Sequence, residues 1–325
     1  MPAVRTLLYL SRSDVEKTAL SMPEVIAAVE KAFHEKGLGQ VEIPPKPGIH
    51  TRPDAFIHAM PASIPAMNAA GIKWVAGYPQ NQLKNLPYIS GLLILNDPET
   101  GFPLSVMDCT WITAKRTGAA TAVSAKYLAR PDSSSAGIVA CGVQGRSNLE
   151  ALACLFPLKK VKAFDLRPEI SRRFAEEMSA QLHLEIEPVS TVAQAVQGLD
   201  LVVTSGPILK DPQPAIEPGW LAEGAFASLV DFDSYWQGAA LLQADKLSTD
   251  DIPQMSYYRK EGYFRQTPEP YADLGELVTG KKPGRQSPRE RTFAVNLGLA
   301  LGDMATAVLI LRQAQEKGIG TALPL

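Results

Sequence analysis

Apolar positions change their period three times along this chain. Val25, Ile26, Val29 and Phe33 recur at helical spacing behind Ser21-Met-Pro-Glu24. There a serine three residues ahead of a glutamate supplies a capping box and the proline fits a first turn, so the pattern predicts a helix ending near Gly37. From 41 to 107 the runs shorten to Ala55–Met60, Gly71–Val75, Ile89–Leu95 and Leu104–Met107, separated by turn signals such as Asp97-Pro-Glu-Thr-Gly101. They predict an antiparallel sheet. Residues 110–129, alanine-rich and interrupted only by Gly118, predict a long connecting helix. Beyond 134 strand-like and helix-like runs alternate. Strands are expected at 136–141, 161–166, 185–189, 200–205 and 225–232, and helices at 146–156, 168–182, 191–197 and 239–247. Such alternation predicts a parallel sheet. Residues 250–292 are polar and punctuated by Pro and Gly, with weak structural signal, and 296–315 reads as a last helix, apolar on one face.

The first alternating unit carries a chemical signature. The run Ala136-Gly-Ile-Val-Ala-Cys-Gly-Val-Gln-Gly145 ends in a glycine turn, a helix follows, and the next apolar run closes on Asp165. Glycines let the backbone approach a pyrophosphate, the helix N-terminus meets its negative charge, and the acid accepts ribose hydroxyls. The order predicts a nicotinamide dinucleotide and hence hydride transfer. Ala140 stands where a full GxGxxG would have its first glycine, so on the turn alone an ordinary strand-to-helix connection competes. Asp165, about 20 residues on, adds weight to the dinucleotide. An acid there repels a 2′-phosphate and favours NAD, while Arg167 softens that preference and leaves NADP open.

Composition narrows the rest. The 325 residues have room for two domains, and 46% hydrophobic with 20% charged residues is a soluble globular balance. A net charge of −2 gives no footprint for nucleic acid or an anionic membrane. No apolar run approaches the ~20 residues of a membrane span, and the Met1–Ser11 stretch is too short in its apolar core for a signal peptide. Three cysteines, Cys109, Cys141 and Cys154, form no CxxC, which fits a reducing cytoplasm and argues against disulfides or structural zinc. His34, His50, His58 and His183 show no metal-ligand spacing, so no metal is expected.

Three blocks carry a family resemblance: Gly71-Ile-Lys-Trp-Val-Ala-Gly-Tyr-Pro-Gln-Asn81, Thr100-Gly-Phe-Pro-Leu-Ser-Val-Met-Asp-Cys-Thr-Trp-Ile-Thr-Ala-Lys-Arg-Thr-Gly-Ala-Ala120 and Ala125-Lys-Tyr-Leu-Ala-Arg130. They resemble the ornithine cyclodeaminase/mu-crystallin family, and the central block is most similar to its alanine dehydrogenase branch. The likeness runs from about the first helix to Gly318-Ile-Gly-Thr-Ala322 and is strongest over 71–145. It implies an α/β protein with a Rossmann-type parallel-sheet domain, residues 118–296, that binds NAD. An α+β dimerisation and substrate domain is built from both chain ends, 1–117 and 297–325. It also implies a homodimer acting on a small-molecule amino acid, 2-oxo acid or cyclic imine.

Roles follow from the resemblance residue by residue. Lys73 matches the lysine beside the nicotinamide, where an ammonium binds an α-carboxylate and lowers the pKa of a nearby amine or water. Arg116 matches an arginine whose planar fork holds that carboxylate bidentately. Lys46 stands where relatives often carry a carboxylate-binding arginine, with a surface role equally open. Asp233 matches the catalytic aspartate, placed at the carboxyl end of a strand where ligands of parallel sheets sit. Asp231 competes with it, since a strand of period two puts both on one face. The cofactor is expected on Arg116, Thr117, Gly142, Val143, Gln144, Gly145, Asp165, Leu166, Arg167, Thr204 and Asp233.

Four departures shape the substrate expectation. After Asp233 relatives often continue Pro-Gly-Lys, whereas this chain reads Ser234-Tyr-Trp-Gln237. His58 stands where ornithine cyclodeaminases carry a glutamate, with a core role for the histidine equally open. Tyr88 replaces a small hydroxyl residue, and Asn296-Leu-Gly replaces Asp-Ser-x-Gly. The changes remove an anion that would neutralise a second amine, and they add aromatic surface. The expected reaction is therefore NAD-dependent hydride transfer at the Cα of a small amino acid or its imine. The alternatives are a cyclodeaminase lyase that recycles its NAD and a mu-crystallin-like binding protein.

Overall fold

The computed structural model describes residues 5–325. Met1–Val4, which open the expected terminal domain and the stretch judged not to be a signal peptide, lie outside the described residues. Two compact units emerge. One takes the chain up to Arg116 together with Leu299–Leu325, and the other is Thr117–Gly298.

The first unit opens with β1 (Thr6–Leu10), α1 (Arg12–Lys17) and α2 (Met22–Gly37). It continues through β2 (Gly48–Ile49), β3 (Phe56–Ile64), β4 (Ala69–Gly77), β5 (Ile89–Asn96) and β6 (Pro103–Asp108) into α3 (Thr110–Leu128), which runs on into the second unit. The second unit carries β7 (Ser135–Val139), α4 (Val143–Leu155), β8 (Lys160–Phe164), α5 (Pro168–Leu182), β9 (Glu185–Pro188), β10 (Leu201–Thr204) and β11 (Phe226–Leu229). It continues with α6 (Gly238–Leu241), β12 (Lys246–Thr249), α7 (Ile252–Lys260), β13 (Ala272–Asp273), α8 (Leu274–Val278) and β14 (Thr292–Val295). The chain then returns to the first unit as α9 (Ala300–Lys317) and β15 (Thr321–Pro324).

In the first unit seven strands lie in the order β15-β1-β6-β5-β4-β3-β2. The antiparallel expectation holds from β2 to β6. The short β1 and the exposed β15, not foreseen, extend the sheet, and β1 runs parallel to β6. The capping box of α2 forms, with the Ser21 amide donating to Glu24 Oε2 at 2.8 Å. Behind it Val25, Ile26, Val29 and Phe33 are buried, each contributing about 1.5–3 kcal/mol. The helices α2 and α9 pack on each other, and α9 also packs on β3, β4 and β5. One face of the sheet is thereby buried: Leu10, Met107, Leu93, Lys73 and Met60 share it by register. The opposite face shows Tyr9, Leu104, Leu92 and the directly opposed Trp74, all exposed.

The second unit is a Rossmann-type sheet. Its eight strands, all parallel, follow the order β9-β8-β7-β10-β11-β14-β12-β13. The order reverses between β7 and β10, and the crevice beyond the carboxyl ends of those strands is where such sheets take ligands. Several expectations fail here. Strands of four residues buried on both faces have no period to betray them, so β12 and β14 were missed, and 239–247 divides into the one-turn α6 and the start of β12. The helix expected at 191–197 is a single tight turn, Ala193–Ala195. The weakly patterned 250–292 holds α7 and α8, capped by Asp251 and Asp273. The last helix starts at Ala300 rather than 296. The strand expected at 225–232 stops at Leu229, and Phe232 adopts φ +63°, a left-handed turn that no strand continues through.

Candidate active site

The glycine turn has the shape a pyrophosphate requires. Gly142 caps α4 in extended backbone, and as a glycine it offers the first-turn amides no side-chain cap. The space where a Cβ of Gly142 would sit is clear to 4 Å, so the backbone of this turn is approachable. A Cβ on Gly145 would meet the Ala140 carbonyl oxygen at 2.5 Å, which is the close strand–helix packing this glycine permits. Ala140 adopts φ +74°, a conformation that favours glycine, at the place where the sequence departs from the full motif. The turn is tied down from two sides. The Cys141 amide donates to Asp165 Oδ2 at 3.0 Å, and Ser205 Oγ donates to the Ala140 carbonyl at 3.0 Å. Asp165 Oδ1 also accepts the Arg167 amide at 3.0 Å, and a carboxylate's further lone pairs leave capacity for ribose hydroxyls. Val143 and Leu166 stand exposed beside the turn as apolar surface. These features fit a dinucleotide.

The turn after β11 separates the two aspartates. Asp231 is fully buried. Its Oδ1 accepts Thr204 Oγ1 at 2.8 Å, and its Oδ2 accepts the Gly206 amide at 3.1 Å. Burial pushes its carboxyl up to about 7 against those two hydrogen bonds. The left-handed Phe232 then swings Asp233 away, so the two do not share a strand face. Asp233 is half-buried, accepts Thr267 Oγ1 at 2.8 Å, and is also raised by burial. Thr204, expected on the cofactor, is fully buried, its hydroxyl donating to Asp231 and accepting Trp236 Nε1 at 3.2 Å. Trp236, expected to add aromatic surface near the aspartate, is instead a core residue packed edge-on against Phe293. Tyr235 is the aromatic that stays half-buried. Its hydroxyl lies against Gly206, at 2.0 Å from where a Cβ there would be. Burial first, then Asp231 and Asp165, push its phenol up to about 12.

The expected carboxylate-binding residues lie in the first unit. Lys73 on β4 is fully buried with its stem among apolar neighbours. Arg116 on α3, also buried, lies over Gly302, whose missing Cβ leaves room for the Arg116 stem at 3.2 Å. Between the two cations sits Asp303 on α9, fully buried. Its Oδ2 is 2.7 Å from Lys73 Nζ, and its Oδ1 accepts Arg116 Nε at 3.0 Å. The Lys73 contact is a close ion pair with both groups fully buried. Lys73 Nζ also lies 3.4 Å from Thr113 Oγ1. Burial, helped by Arg116 and opposed by Asp303, brings the Lys73 ammonium down to about 8.

His58 points to the same sheet face as Lys73, since Met60 opposes Lys73 and His58 opposes Val75. Its ring stacks on Phe56 with centroids 4.3 Å apart and lies over Gly48. Burial, and then the charge of Lys46, with His50 and Lys73 behind, pulls it down to about 3. It is therefore a neutral ring in cationic surroundings. Tyr88 and Thr117 flank other parts of the chain: the Tyr88 carbonyl accepts the Tyr78 amide, and Thr117 is buried on α3. Asp303 escaped the sequence reading. Its only local signal was an acid in the first turn of a helix, which any helix favours.

A parallel sheet with a phosphate-cradling turn, and a buried pair of cations sharing one carboxylate, define a Rossmann-type α/β protein equipped for a dinucleotide and an anion. Residues 6–318 match the model of the Ornithine cyclodeaminase/mu-crystallin family, and the chain belongs to that family. An alanine dehydrogenase of Archaeoglobus fulgidus is 35% identical over 97% of this chain and 98% of its own length. The structure of Thermococcus litoralis Δ1-pyrroline-2-carboxylate reductase in complex with NADH and L-proline superposes with a TM-score of 0.89 at 36% identity, covering 98% of this chain and all (100%) of that one. An archaeal alanine dehydrogenase dimer with bound NAD gives a TM-score of 0.88 at 33% identity, covering 99% of this chain and 100% of that one. No described helix is long and apolar enough to cross a membrane, and no described group of His, Cys, Asp and Glu is placed to hold a metal ion.

Proposed function

We propose that this protein is an NAD-dependent oxidoreductase that moves hydride at the Cα of a small amino acid or its imine. One observation carries the reading: Lys73 and Arg116 are buried together and, among the described residues, Asp303 alone bridges them, so two positive charges share one negative. A buried surplus of positive charge is costly unless an anion completes it, and an α-carboxylate is an anion of the right size and geometry. NAD, when bound at the 140–145 turn, supplies the hydride acceptor. Gly142, Gln144 and Gly145 meet its pyrophosphate and Asp165 its ribose. Lys73 and Arg116 hold the carboxylate, and Asp233 exchanges the proton as hydride leaves or joins Cα. Partial exposure and a raised carboxyl suit Asp233 to that task, whereas Asp231 has both oxygens committed and no exposure.

The neutral His58 beside Lys46 gives a distal ammonium no counter-charge, which favours a small uncharged side chain over ornithine. Cys109, Cys141 and Cys154 are thiols rather than disulfide partners, which suits a reducing cytoplasm. The open apolar face of Tyr9, Leu92, Leu104 and Trp74 suits a second copy of the chain, and the archaeal alanine dehydrogenase is a dimer. The test is absorbance at 340 nm with NAD or NADH against amino acids, 2-oxo acids with ammonia or amines, and cyclic imines. Net reduction or oxidation of a small α-carboxylate compound is expected. Conversion of ornithine to proline without net NADH would replace the reading with the cyclodeaminase, and tight NADH binding without turnover would replace it with a binding protein.

A further inference from the structure

The last helix brings a residue to the cationic cluster that no motif announces. Asp303 lies in the first turn of α9, far along the chain from both Lys73 and Arg116, yet it touches both with separate oxygens, at 2.7 and 3.0 Å. It is fully buried and so are its partners. Its neighbour Gly302 is the residue whose bare Cα admits the Arg116 stem, so two consecutive residues of α9 shape the seat of the same arginine. By taking Nε, Asp303 leaves the Nη edge of the guanidinium as the one to meet a ligand. By drawing Lys73 Nζ to its other oxygen, it sets the ammonium beside that fork.

We propose that Asp303 is a positioning residue: bridging Lys73 and Arg116 from α9, it locks the two cations into a single carboxylate receptor and makes the C-terminal helix part of substrate recognition. The proposal rests on the carboxylate-binding reading given above. The alternative is a purely structural ion pair that anchors α9. Among the described residues the groups facing Lys73 are Arg116 and Thr113 from α3, Cys109 ahead of that helix, Asp303 from α9, and, across the sheet face, His58 with Lys46 behind it. Cys109 is held up at about 11 by burial, and His58 is neutral. Asp303 is therefore the anion that keeps a proton on Lys73 against burial and Arg116.

The test follows Lys73 directly and needs no turnover. Protein labelled with ¹⁵N-lysine is titrated from neutral to alkaline pH, and the Lys73 Nζ resonance is assigned by its loss in Lys73→Met. Asp303→Asn keeps the shape and removes the charge, so the Lys73 midpoint should fall by about one pH unit or more. In the same variant KM for the substrate found above should rise at least about tenfold with a smaller fall in kcat, and NADH affinity should be unchanged. Asp303→Glu restores the charge on a longer arm. It should return the Lys73 midpoint towards wild type while leaving KM raised, which an anchor for α9 would not do. It also carries the test should Asp303→Asn fail to fold. A folded Asp303→Asn whose Lys73 titrates as in wild type overturns the proposal, as does a folded Asp303→Glu with wild-type KM. If no carboxylate compound is turned over but Lys73 shifts as expected, the functional reading fails and the bridge stands.

Discussion

Two glycines of one turn should respond differently to the same added methyl group. In Gly142→Ala the new Cβ meets no heavy atom within 4 Å, and the residue sits at φ −75° in extended backbone, which alanine accepts. The apo fold loses nothing there and gains up to about 0.4–1 kcal/mol from a stiffer unfolded chain. The methyl group occupies the space through which a pyrophosphate would reach the α4 amides. NADH affinity should therefore fall at least about tenfold, some 1.4 kcal/mol. In Gly145→Ala the Cβ lies 2.5 Å from the Ala140 carbonyl oxygen and 3.0 Å from Ile138 Cγ2. The carbonyl belongs to the strand end and cannot swing aside, so helix and strand must part by roughly 1 Å to reach ordinary contact. Overpacking against backbone at so short a distance falls in the upper part of the usual range, about 2–3 kcal/mol. Helix propensity returns about 1 kcal/mol, for a net loss of about 1–2. That lowers the apo melting temperature by about 2–8 °C, and NADH affinity falls as well because the cradle is displaced. Circular dichroism melts of the apo proteins and NADH titration by fluorescence separate the cases. Wild-type NADH binding by Gly142→Ala would show that the cofactor does not approach this turn. An undiminished melting temperature for Gly145→Ala would show that the strand–helix packing is looser than the structure has it.

Four further outcomes are expected. Asp165→Ser should narrow or reverse a preference for NAD over NADP by removing the repulsion of a 2′-phosphate, and a wild-type preference for NADP of about tenfold or more would mean that Arg167 controls the pocket. Asp233→Asn should cut turnover about 100-fold with NADH affinity kept, whereas Asp231→Asn should cost about 1–3 kcal/mol of stability by turning an amide N–H toward the Thr204 or Gly206 donor; a stable but inactive Asp231→Asn with an active Asp233→Asn would move the proton chemistry to Asp231. Burial holds Lys73 at about 8, below its ordinary 10.5, so the ammonium is present below that pH and lost above it; kcat/KM should fall as pH rises through about 8, and a flat profile across that range would exclude a charged Lys73 from carboxylate binding. Trp74→Glu places a charge at the middle of the exposed apolar sheet face and should shift the protein towards monomer in light scattering, whereas an unchanged dimer would put the interface elsewhere.

The strand–turn–helix unit expected to hold the cofactor was legible because its signals are local. A glycine turn between a strand and a helix, and an acid closing the next strand, lie within about 30 residues, and backbone geometry alone sets their arrangement. Even the departure at Ala140 was legible as such, and the structure shows it held at the positive φ the missing glycine would have taken freely. The lysine and arginine of the cationic cluster were legible only through their motifs, since one buried lysine on a strand reads like any surface lysine until its neighbours are known. Tertiary structure decided what lies far apart in sequence. Asp303 joins Lys73 and Arg116 only because α9 packs beside β4, and a helical period says which face is buried but not what it meets there. Phe232 separates Asp231 from Asp233 through a left-handed turn stabilised by an aromatic cluster with Tyr258, Tyr263 and Phe264, residues from a stretch with almost no pattern of its own. Trp236 went to the core for the same reason: its indole found Thr204 and Phe293 there, and the fate of a large amphipathic side chain is set by the partner available to its polar end.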